Sequence, residues 1–167
     1  NVIQKMDDKQ WDAILECHLT APFKILRAAQ PHIKKLFLKE KENGITNFRK
    51  VVNISSTSGM FGNAGQINYA TAKAGVVGMA KTMAKEWGRY NVNVNAVGFG
   101  LIKTRLTDSD AEKEESLIDI EGNKIKVGVN SAVFQSAKTM IPLGRPGTPQ
   151  EAAGAIYMFC IPESNYV

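Results

Sequence analysis

Two short apolar runs, Lys50 to Ser55 (KVVNIS) and Val92 to Val97 (VNVNAV), flank a stretch with helical character from Ile67 to Tyr90. A strand, a long helix and a second strand in that order call for a crossover connection, so the two strands are predicted to run parallel in one sheet. A parallel sheet is covered on both faces and needs more than two strands. The chain is therefore expected to form the α/β portion of a larger domain, incomplete as it stands.

The flanking periodicities complete the outline. From Asp7 onward, Trp11, Ile14, Leu15, Leu19, Leu26, Ala29, Ile33 and Leu36 recur at the spacing of one helix face. Asp7 followed by Gln10 reads as a start signal of the capping-box kind, and Asn43-Gly44 closes the helix. Gly59, Gly62 and Gly65 mark a loop before the second long helix. Beyond Thr104 the character changes. Asp108 to Glu115 is a charged run, Leu117 to Val129 alternates around Glu-Gly-Asn as a hairpin does, and a last helix begins at Thr148-Pro149-Gln150-Glu151 with its own cap.

Composition excludes several classes. The 167 residues are 44% hydrophobic and 22% charged, in the range of a folded globular domain. No run is long enough to span a bilayer, and no signal peptide is legible. Cys17 and Cys160 lie outside any metal-ligand or CxxC spacing, so they are expected to be buried, reduced thiols of a cytoplasmic protein. His18 and His32 lack a carboxylate at ligand spacing, so no metal is expected. The net charge of +5 owes much to Lys34, Lys35, Lys39 and Lys41. With no aromatic residues interleaved, these read as a solvated helix end and not as a nucleic-acid surface.

The chemistry concentrates in Val51 to Gly75 (VVNISSTSGMFGNAGQINYATAKAG). Tyr69 and Lys73 are four apart on the predicted helix and project from one face. Alone, that pair is better explained by a helix-surface tyrosine beside a lysine. Here it follows a strand ending at Ser55-Ser56 and a glycine-rich loop, with Tyr69 thirteen residues after Ser56. Together the strand-end serine, the loop and NYATAKAG resemble the active-site segment of short-chain dehydrogenases/reductases. GQINYATAKAG is most similar to 3-oxoacyl-[acyl-carrier-protein] reductases. The resemblance runs from about Asp7 to Thr104 and resumes from Pro142 to Tyr166.

That resemblance implies a Rossmann-like, doubly wound parallel sheet, of which this chain is the C-terminal part, and an oxidoreductase interconverting a carbonyl and an alcohol with NADP or NAD. Reduction places negative charge on the carbonyl oxygen, which needs a proton donor and a second hydrogen-bond donor. By resemblance, Tyr69 donates the proton, Ser56 polarises the carbonyl, and Lys73 favours the phenolate while binding the nicotinamide ribose. In VNVNAVGFGLIKT, Gly100, Ile102 and Thr104 are implied to meet the nicotinamide carboxamide, with Phe99 in place of the family's usual proline. The segment 105–141 takes the place of a substrate lid.

One departure falls on the fourth catalytic position, where the family carries asparagine and this chain has His18 within ECHLTAPF. Pro22, four residues on, has no N–H for the His18 carbonyl, so the helix is expected to kink and leave that carbonyl available. His18 would then hold the family's relay water through its backbone, its imidazole packing or adding a pH-sensitive group. The alternative is a plain core histidine. The family's GxxxGxG pyrophosphate turn has no counterpart in these residues, so tight nucleotide binding is expected only with a missing N-terminal half. Substrates implied are small-molecule or acyl-thioester carbonyls. The family's pairing through the two long helices implies a homodimer or homotetramer, with Ala72, Gly75, Ala80 and Ala84 permitting close approach. Two other readings compete: a non-catalytic relative serving as an assembly module, and a binder of RNA or acidic protein.

Overall fold

A computed structural model describes residues 1–104, 117–120, 123–126 and 139–167. They form two compact units, residues 1–99 with 155–167, and residues 100–154. In the first unit, helix α1 (Asp8–Leu15) starts where expected: the Asp7 carboxylate accepts the Gln10 N–H at 2.8 Å, satisfying one of the donors a helix N-terminus leaves open. The expected single long helix is then interrupted. Glu16–Thr20 forms a π-helical turn, in which the Ala21 N–H reaches back to the Glu16 carbonyl, before α2 (Ala21–Glu42) resumes α-geometry. Pro22 accounts for the interruption, since it has no N–H to donate and its ring crowds the carbonyl four residues back, that of His18. The break predicted at His18 therefore takes the form of a one-residue widening of the helix.

The predicted apolar face is half-buried from Trp11 to Ile33, but Leu36 is exposed and Phe37 turns inward instead, its ring edge-on to Tyr90 at 5.7 Å. Ile33 to Phe37 is one i to i+4 step, which keeps the same face where Leu36 falls off it. Arg49 makes two hydrogen bonds to Glu40, at 3.0 and 2.5 Å, tying the end of α2 to the first strand.

Strand β1 (Arg49–Ser56) pairs in parallel with β2 (Val92–Phe99), in register from Arg49 opposite Val92 to Ser56 opposite Phe99. Helix α3 (Thr57–Phe61) and the long α4 (Ile67–Trp87) make the crossover. The stretch read as a loop therefore begins as a short helix, for which Ser56 provides the N-cap. On the α4 side of the sheet, Ala80, Met83, Trp87, Val92 and Val94 form the buried core, with Val51 and Leu26 packed against it. Burial of such side chains contributes about 1.5–3 kcal/mol each. The other side is polar. Lys50 donates to the Asn93 side chain at 3.0 Å and to the Ser164 hydroxyl at 3.2 Å, while Asn93 and Asn95 donate to the carbonyls of Asn165 and Val167. Ile54, between them in sequence, remains 39% exposed.

Two expectations are corrected here. Both cysteines are exposed: Cys17 lies within the π-turn, and Cys160 in the turn that follows the last α-helix. Ala72 and Ala80 are buried in the chain's own interior, Ala84 packs on its core, and Gly75 meets the Leu19 side chain. The exposed small residues of α4 include Thr71, Ala74 and Gly78.

In the second unit, β3 (Leu117–Ile120) and β4 (Asn123–Lys126) pair antiparallel, the hairpin predicted from alternation. The charged run and most of the 105–141 segment lie outside the described residues. Helix α5 (Pro149–Tyr157) has a reciprocal cap. Glu151 accepts the Thr148 N–H at 2.7 Å, and the Thr148 hydroxyl accepts the Glu151 N–H at 3.2 Å. No helix among the described residues is long and apolar enough to cross a membrane.

Candidate active site

The C-terminal end of β1 meets the first turns of α4 at Lys73, whose carbonyl and ammonium bond Ser55 and Ile54, and Ser56 is the next residue of the strand. Ser56 ends the strand in extended backbone and turns its hydroxyl to the next element, accepting the Ser58 N–H at 3.2 Å. As that bond uses a lone pair, the hydroxyl proton remains available for donation.

Tyr69 is held from its own backbone. Its N–H donates to the buried Asn68 side chain at 2.8 Å, and Asn68 donates in turn to the Gln10 carbonyl of α1 at 2.8 Å. One amide thus fixes the start of α4 against α1. The phenol ring is half-buried, with the His18 imidazole edge-on at 5.3 Å and an interplanar angle of 90°. Lys73 Nζ lies 5.6 Å from the centroid of the same ring. No hydrogen bond joins the Tyr69 hydroxyl to another described side chain.

Lys73 is only 9% exposed, an unusual place for an ammonium. It donates to the Ile54 carbonyl at 2.9 Å, which among the described residues leaves two of its three donors unused. Burial lowers its pKa from the ordinary lysine value, with Cys17 acting in the opposite sense. His18 is likewise lowered, first by burial and second by the positive charge of Lys73. The imidazole packs on the phenol within the field of the lysine.

Sequence reasoning missed two residues here. The Ser55 hydroxyl, 2% exposed, donates to the Lys73 carbonyl at 2.8 Å. Gly59, read only as a loop marker, lies flat against the same residue. A Cβ there would sit 2.7 Å from the Lys73 carbonyl carbon and 2.8 Å from both the Ala74 nitrogen and Lys73 Cβ. No spacing in the sequence marks either residue, because contact with Lys73 requires the fold. Two residues before Ser55, the buried Asn53 Nδ2 has no hydrogen-bond partner among the described residues.

Gly100, Ile102 and Thr104 belong to the second unit. Their strand-like stretch is pinned to Gly147: its N–H donates to the Leu101 carbonyl at 2.9 Å, and the Lys103 N–H donates to the Gly147 carbonyl at 2.8 Å. Ile102 forms a parallel bridge with Gly147, whose missing Cβ makes room for the Ile102 side chain. Phe99 has the N–H that proline lacks, and β2 runs through it to stand opposite Ser56.

A strand-end serine and a tyrosine–lysine pair on the crossover helix of a parallel α/β unit define the class. The family model described as short chain dehydrogenase matches residues 1–115, and the chain belongs to that family. The 3-oxoacyl-[acyl-carrier-protein] reductase FabG of Thermotoga maritima is 36% identical over 166 residues, covering 99% of this chain and 56% of that protein. The chain thus spans a little over half the length of the reductases it matches. Among solved structures, a short chain dehydrogenase from Bacillus anthracis superposes with a TM-score of 0.66 at 27% identity, over 100% of this chain and 54% of that one. A 4-hydroxyisoleucine dehydrogenase complexed with NADH reaches 0.72 at 21% identity, over 100% and 58%. These likenesses assign the fold to the Rossmann-type dehydrogenases.

Proposed function

We propose that the protein reduces a carbonyl to an alcohol with NADP or NAD, on a 3-oxoacyl thioester or a related small molecule, and that Tyr69 supplies the proton. The observation that carries this reading is the buried Lys73 ammonium beside the Tyr69 ring, adjoining the strand that ends in Ser56. A lysine this enclosed is costly to keep charged, and a nearby phenol that passes through a phenolate gives the charge a use.

The chain's own residues divide the work. Ser56 Oγ, positioned by the Ser58 N–H, turns its proton to the carbonyl oxygen and polarises it. Tyr69 delivers its proton to the same oxygen as negative charge develops there, and Lys73 stabilises the phenolate left behind. The nicotinamide, when bound, supplies the hydride. The donor set fits that group, since the two unused Lys73 donors suit a ribose hydroxyl and a relay water. Gly100, Ile102 and Thr104 are assigned to the carboxamide by family resemblance. NAD and NADP are identical at the nicotinamide end, so the assignment covers either.

His18 is proposed to hold the relay water through its backbone carbonyl, for which Pro22 offers no N–H. The imidazole braces Tyr69 meanwhile, at 5.3 Å. The 105–141 segment is proposed to govern substrate choice, the protein to work in the cytoplasm, and α2 and α4 to join subunits into a homodimer or homotetramer. Exposed Thr71, Ala74 and Gly78 give α4 the close approach such pairing needs. The test is direct: the complete polypeptide, given a 3-oxoacyl thioester and reduced nicotinamide nucleotide, is expected to consume both in equal amounts. Failure to oxidise either nucleotide with any of a panel of 3-oxoacyl thioesters and simple ketones would overturn the reading.

A further inference from the structure

Resting on the catalytic reading of Tyr69 and Lys73, we propose that Ser55, the residue before the strand-end serine, is a positioning residue that sets the depth and register of Lys73. Three contacts from one short stretch of chain meet on this lysine. The Ser55 hydroxyl donates to its carbonyl at 2.8 Å. The Ile54 carbonyl accepts from its ammonium at 2.9 Å. Gly59 lets the backbone of α3 close onto its Cα region, with no room for a Cβ.

The Ser55 contact differs from the other two in kind. Within α4 the Lys73 carbonyl is an ordinary helix acceptor, so the added bond from β1 is not needed to complete the helix. It is a buried tertiary bond across eighteen residues of sequence, formed by a hydroxyl that is 2% exposed. It fixes where along β1 the fourth turn-position after Tyr69 must lie. Ser55 and Ser56 alternate across the pleat. One hydroxyl faces α4 and bonds the lysine's carbonyl, while its neighbour caps α3. Adjacent serines thereby couple the positions of Lys73 and of the carbonyl-polarising hydroxyl to a single strand end.

If Ser55 acts only as a brace for α4, its loss lowers stability and nothing else. If it positions Lys73, its loss displaces the ammonium from Tyr69. Misplacement of a catalytic group by about 1 Å costs on the order of a hundredfold in rate. In the complete polypeptide, Ser55→Ala is expected to lower kcat by roughly ten- to a hundredfold and to raise KM for the nicotinamide nucleotide. KM for the carbonyl substrate is expected to stay within about twofold, since a Ser56-bound carbonyl is untouched. Ser55→Cys, isosteric but a weaker donor, should fall between Ser55→Ala and the parent. It also carries the test if Ser55→Ala does not fold. Variants whose thermal midpoint falls while kcat and both KM values match the parent overturn the proposal. Tyr69→Phe, measured alongside, separates the two levels. An active Tyr69→Phe defeats the catalytic reading itself, whereas an inactive Tyr69→Phe with unaffected Ser55 variants defeats this inference alone.

Discussion

Replacing Gly59 by alanine tests the backbone contact on which the site is built. The new Cβ would lie 2.7 Å from the Lys73 carbonyl carbon and 2.8 Å from the Ala74 nitrogen and Lys73 Cβ. Carbon pairs rest at about 3.5–4.0 Å, so α3 and α4 must part by roughly 0.7–1 Å at this point. The clashing atoms are backbone and Cβ, which cannot swing aside as a side-chain terminus can. Overpacking of this kind costs about 1–3 kcal/mol, partly offset by up to about 1 kcal/mol of improved helix propensity. For a domain of 150–250 residues, each kcal/mol moves the thermal midpoint by about 2–4 °C. Gly59→Ala is therefore expected to lower Tm by a few degrees and kcat by on the order of tenfold or more, as Lys73 moves with α4. Gly154→Ala, within α5, is the control. Nothing lies within 4 Å of its Cβ position, so the substitution should leave kcat alone and stabilise by up to about 1 kcal/mol. Equal behaviour of the two variants in thermal scans and steady-state assays would refute the claimed contact.

Three further outcomes follow from the same geometry. Glu151 is held down to about 2, chiefly by its hydrogen bond to Arg145 and then by the Thr148 cap, from an ordinary value of 4.5. Its contribution is present above pH 4.5 and is lost as pH falls toward 2, so Glu151→Gln should lower Tm at neutral pH and flatten the acid limb of a Tm-against-pH curve. His18 is lowered below 6.5 by burial and by Lys73. The folded state thus binds fewer protons than the unfolded one as pH falls through that region, stability declines with it, and His18→Asn should remove that slope from urea titrations run between pH 7.5 and about 5. Ser56→Ala, which removes the proposed carbonyl donor and one cap, should lower kcat by about a hundredfold and destabilise by about 1 kcal/mol, read by kinetics and thermal scan together.

The outline of the fold was legible because it rests on periodicity and caps. The strand–helix–strand order, the Asp7 and Thr148 starts and the β3–β4 alternation are local patterns. The break at His18 was legible for a local reason too, the absent N–H of Pro22, although whether the helix bends or widens depends on packing. What the sequence did not disclose depends on proximity. Gly59 and Ser55 matter because α4 lies against them. Ala72 and Ala80 looked suited to an intersubunit seam, but a small residue is equally suited to packing on its own sheet, and only the helix's rotation decides. Cys17 and Cys160 ran against the usual burial of free thiols because each falls where the helix geometry changes or ends. The tyrosine–lysine pair was visible as a spacing. Its burial, and the imidazole set edge-on to the ring, were not.

In the proposed reaction the Tyr69 hydroxyl delivers the proton to the nascent alcohol. Comparing Tyr69→Phe with the parent in the complete polypeptide tests this most directly, provided nucleotide binding is titrated separately. The expected result is a loss of kcat of roughly 100- to 10,000-fold, with nucleotide affinity changed little. A Tyr69→Phe protein that binds the nucleotide and reduces its carbonyl substrate at the parent's rate would contradict it.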